Sequence, residues 1–160
     1  MEKEPMHTPR PQPPRYRRII CLLIALTPWY GLDGWAAAVS THAFGRYEIV
    51  LQEGVPVAMG EILGLVRRQT GLPEYPLLLR LQKGVLELSI LDPGNRPIGL
   101  ASTPFKGSPG ARAPTARFIV ERSVRQDDTL TLRLRQRRLP GEVSLAVNLR
   151  QLERMLEGER

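Results

Sequence analysis

Cysteine is almost missing from this chain. Its one cysteine, Cys21, lies inside an apolar run near the N-terminus. The remainder can therefore form no internal disulfide and no thiolate metal site. Histidine is nearly as scarce, with His42 the sole one after residue 38. One histidine without cysteine excludes the usual zinc sets. There is no Gly-x-Ser-x-Gly elbow, no phosphate-binding loop and no dinucleotide fingerprint. No internal repeat occurs. Aromatic residues make up only 6% of the chain.

Basic side chains are what the chain has in excess. The 23 basic and 16 acidic residues give +7. The first 38 residues hold Lys3, Arg10, Arg15, Arg17 and Arg18 against Glu2, Glu4 and Asp33, so the rest carries +5. After residue 38 only Lys83 and Lys106 are lysines; all other basic residues are arginines. The guanidinium fork suits carboxylates and phosphates. This charge permits an anionic partner without demanding one.

The N-terminus has three zones. A polar, proline-rich stretch ends in Arg15-Tyr16-Arg17-Arg18, residues 19–27 (IICLLIALT) are apolar, and Pro28 precedes Trp35-Ala36-Ala37-Ala38. Basic, apolar and small residues in that order predict a signal peptide over 1–38. Ala36 and Ala38 fit the two small-residue pockets of a signal peptidase, with cleavage after Ala38. Cys21 lacks the small-residue run that precedes a lipid-modified cysteine. The rival reading is a membrane anchor over 19–39, though Pro28, Gly31, Asp33 and Gly34 interrupt that run. The expectation is one exported domain over 39–160, periplasmic or secreted, or membrane-anchored if the segment is retained.

Within that domain, residues 46–52 read as a strand. Met59, Ile62, Leu63, Leu65 and Val66 recur at three- and four-residue spacing, which predicts a helix over 56–71 closed by Gly71. Residues 77–82 and 85–91 read as a hairpin turning at Lys83-Gly84. Asp92-Pro93-Gly94-Asn95 is a turn, 97–101 a short edge strand, and 102–115, with Pro104, Gly107, Pro109, Gly110 and Pro114, a mobile loop. Residues 118–123 and 129–136 form a second hairpin, in which Leu130, Leu132 and Leu134 alternate with polar residues. A strand over 143–147 follows, then a helix capped by Asn148 with Leu149, Leu152, Met155 and Leu156 on one face. The fold class expected is α+β, a small mainly antiparallel sheet carrying one amphipathic helix and a short C-terminal one.

Few residues suggest chemistry. His42 lies close to the expected mature N-terminus, where a Ser-His-acid set would have to recruit it. Asp127-Asp128 has the composition of a turn, and Glu61 and Glu87 fall on polar faces. No catalytic residue, metal ligand or cofactor is assigned. Arg122, Arg125, Arg133, Arg135, Arg137 and Arg138 cluster on the second hairpin and just after it. If they share a side they form a positive ribbon for an acidic protein, phosphates or lipid head groups; a solvated sheet face accounts for the same residues. Phe118 is the only aromatic residue of the hairpin, so nucleic acid is disfavoured.

Residues 47–90 also resemble the short N-terminal module of secretins and TonB-dependent receptors. The resemblance rests on a strand, an amphipathic segment ending Arg68-Gln69-Thr70-Gly71-Leu72, and paired strands turning at Lys83-Gly84. Met59, Leu63 and Val66 stand where that family has leucines. Gly54 to Val57 and Pro73-Glu74-Tyr75-Pro76 depart from its pattern, and no pore region follows. The resemblance implies a small βαββ protein-interaction module. The resulting expectation is a non-enzymatic envelope protein that binds other proteins, an accessory of a secretion, pilus or transport assembly. The alternative from another class is a small secreted hydrolase or ligand-binding enzyme using carboxylates.

Overall fold

Alternation of apolar and polar side chains, not helical spacing, organises the folded domain. The computed structural model describes residues 37–105, 116–137 and 141–158. Its strands are β1 (Ala38–Phe44), β2 (Tyr47–Glu53), β3 (Pro56–Ala58), β4 (Ile62–Arg68), β5 (Gly71–Gln82) and β6 (Val85–Leu91). Then come β7 (Pro97–Pro104), β8 (Arg117–Gln126), β9 (Thr129–Gln136), β10 (Glu142–Asn148) and the helix α1 (Leu149–Gly158). All pairings are antiparallel. One sheet has the order β1-β2-β4-β5-β6-β7 and the other β10-β9-β8-β3.

The two sheets share one core. Tyr47, Ile49 and Leu51 of β2 alternate into it, as do Leu130, Leu132 and Leu134 of β9. Helix α1 adds Leu149, Leu152 and Leu156, while Met155 is only half-buried. Asn148 caps the helix as its sequence predicts, its Oδ1 accepting from the Gln151 backbone N–H at 3.0 Å. At one side of the molecule the edge strands β7 and β10 run next to each other. At another, the Gly54 N–H donates to the Val120 carbonyl at 2.8 Å, tying the end of β2 to β8.

The α+β expectation is overturned. Residues 56–71 form no helix and join no packed helix to a sheet. They hold β3, a turn and β4, and β3 belongs to the other sheet, beside β8. Strand β4 lies between β2 and β5, and Leu63, Leu65 and Val66 are all buried, on both faces of the sheet. A strand apolar on both faces loses its alternation, and a bulge between Ile62 and Gly64 disturbs it further. The result mimics helical spacing. Gly60, at φ 83°, makes the turn that a helix could not contain.

Two smaller readings also change. Residues 102–104 continue strand β7 and are not loop; 106–115 lie outside the described residues. Across residues 47–90 the chain runs through strands alone, so the strand–helix–two-strand order implied by the secretin-like resemblance is not the order found. The hairpin at Lys83-Gly84 is present, with φ positive at both residues (49° and 75°), as a tight two-residue connection requires.

Candidate functional site

The arginine cluster divides between the two faces of the four-stranded sheet. Arg133 and Arg135 alternate with buried leucines on β9 and point outward. Arg122 stands directly opposite Arg133 in the ladder, and Arg135 opposite Ile119. Arg117 lies near the same end as Arg137, whose backbone N–H donates to the Arg117 carbonyl at 2.8 Å. Arg125, by contrast, is opposite the buried Leu130 and belongs to the other face. Its guanidinium donates to the Ala43 carbonyl of β1 and to the Asp127 carbonyl. Arg138 and Ala36 lie outside the described residues, and Ala38 is the first residue of β1.

Two carboxylates sit among the outward arginines. Glu121 holds Arg135 at 2.7 Å and is largely buried, its side chain 18% exposed. Glu142 of β10 approaches Arg133 at 3.6 Å, with both side chains about half exposed. Arg122 is exposed and has no ion pair among the described residues.

A β-bulge creates this arrangement. Val120 pairs with Leu134 and Arg122 with Arg133, so Glu121 is the extra residue. An uninterrupted ladder would set Glu121 against Arg133, an attractive pair, and turn Arg122 inward against Leu132. The bulge keeps Arg122 out of the core and sets two arginines opposite each other in the ladder, where like charges are unfavourable.

The next residue, Ser123, then faces the opposite way and meets β1 and β2. Its Oγ–H donates to Glu53 Oε1 at 2.5 Å, and its backbone N–H donates to the same oxygen at 2.8 Å. With its hydrogen committed, the hydroxyl oxygen accepts from His42 Nε2 at 2.7 Å and from Ser40 Oγ at 2.9 Å. Burial lowers the His42 pKa below 6.5, against the raising effect of Glu53 and together with the lowering effect of Arg125. The structure thus brings a serine, a histidine and a carboxylate together, but in an order unlike a catalytic triad. There the acid orients the histidine and the histidine bonds the serine. Here Glu53 bonds the serine itself, which makes the cluster a fastener between the sheets.

Neither Glu53 nor Ser123 was suggested by the sequence. They are 70 positions apart, and only the fold joins them. Asp127 and Asp128 occupy the β8–β9 turn, with Asp127 at φ 53° and Asp128 bridging Arg150 of α1 at 2.6 Å. Among the described residues no three His, Cys, Asp or Glu side chains converge on a metal-sized site. No described helix is long and apolar enough to cross a membrane. No family model matches the chain, and no curated protein or solved structure matches it either.

Proposed function

We propose that this chain is an exported, non-enzymatic β-domain that binds a protein with an acidic surface, as an accessory of an envelope assembly. The observation that carries the reading is the outward Arg122–Arg133 pair, set in register despite its repulsion. Arg117 and Arg135 extend the same outward row, with Glu121 on Arg135 and Glu142 beside Arg133. Such a face steers and orients an oppositely charged partner. Export is supported by the order of residue types over 1–38.

The test is affinity capture from an envelope fraction with immobilised wild-type chain and with an Arg122→Glu/Arg133→Glu variant of matched melting temperature. The reading expects an acidic protein, identified by mass spectrometry, that the variant no longer retains and that raised salt releases. Equal retention by both forms overturns it.

A further inference from the structure

We infer that Arg122 and Arg133 form a carboxylate clamp, that Glu142 holds its Arg133 arm at rest from the far side of β9, and that a partner's acidic side chain draws Arg133 away from Glu142. The inference rests on the acidic-partner reading and assigns its central contact. Three features of the face support it. Arg122 is exposed and, among the described residues, without a carboxylate of its own. Arg133 stands across the ladder from it and is held only loosely, at 3.6 Å, by a glutamate that is itself about half exposed. Two neighbouring guanidinium groups repel each other until an anion lies between them, and a carboxylate can accept from both forks.

Arg135 and Arg125 are committed elsewhere. Arg135 is held at 2.7 Å by Glu121, which the surrounding sheet largely covers, so a partner cannot readily exchange that pair. Arg125 donates to backbone carbonyls on the other face. The bulge therefore sorts the cluster: it sends Glu121 to Arg135 and leaves Arg122 and Arg133 as the exchangeable site. Glu142 acts as a built-in competitor. It keeps the face from collecting anions indiscriminately and sets the affinity a true partner must exceed.

The experiment is fluorescence anisotropy with a labelled hexaglutamate peptide against the full chain and single variants at low salt. Arg122→Gln and Arg133→Gln should each weaken binding about tenfold. Glu142→Gln should tighten it about threefold by removing the competitor. Arg125→Gln should change nothing. The gain in Glu142→Gln cannot be imitated by misfolding, so the test survives an unstable arginine variant. Unchanged or weaker binding in Glu142→Gln, or binding lost in Arg135→Gln but kept in Arg122→Gln, overturns the clamp and leaves the acidic-partner reading standing. No binding by the wild-type chain removes that reading itself.

Discussion

Gly64 of β4 lies opposite Leu51 of β2 in the ladder. A Cβ built there would fall 2.3 Å from the Val50 carbonyl oxygen, a backbone atom that cannot move aside without breaking the ladder. Gly64→Ala should therefore cost about 1–3 kcal/mol, from overpacking alone, seen as a lower urea midpoint with an unchanged slope. An unchanged midpoint would show that β4 and β2 can separate freely. His42 gives a second expectation at this scale. Its folded pKa lies below 6.5, so the unfolded chain binds the proton first as pH falls. Its contribution to stability is complete above about pH 6.5 and is lost as pH drops through the lowered folded value. Between pH 7.5 and 5 the wild type should lose more stability than His42→Gln, and parallel urea midpoints for the two would remove His42 as the cause. The Asp92 pKa is lowered as well, by hydrogen bonding rather than burial. The Arg96 backbone N–H and side chain hold its carboxyl below 3.8, fixing the turn between β6 and β7.

Helix α1 and strand β4 differ in how far their instructions lie from themselves. The helix is written locally: Asn148 caps it, and Leu149, Leu152 and Leu156 share its buried face. Asn148→Ala should cost about 1 kcal/mol, measurable by thermal melting, and the sequence alone was enough to place the element. Strand β9 was equally legible because alternation and burial coincide there. Strands β3 and β4 were not. Their pairing depends on β8 and on β2 and β5, none of which the local spacing names. The arginine face was half legible for the same reason. Arg133 and Arg135 could be assigned one side from alternation, but the bulge between Val120 and Arg122 decides which side Arg122 and Arg125 take. The Glu53–Ser123 fastener, joining strands of different sheets, left no local trace.

At the scale of the whole molecule, β1 pairs with β2 from Ala38↔Glu53 to Phe44↔Tyr47. Cleavage after Ala38 removes only the first of these pairs and leaves Ser40 and His42 in place against Ser123. The chain made in a host with a periplasm should therefore yield a soluble, folded species whose intact mass begins at Val39. A full-length species kept in the membrane fraction would instead identify residues 19–39 as an anchor. The visit of β3 to the second sheet also sets an order in time. All strands of the six-stranded sheet emerge before β8, each beside a partner already made. Strand β3 alone must wait roughly sixty residues for Ile119 to arrive opposite Pro56. Until then one side of the growing core stays open. The segment that closes it, β8 to α1, is the same segment that carries the outward arginines, so the arginine face comes into being only as assembly finishes.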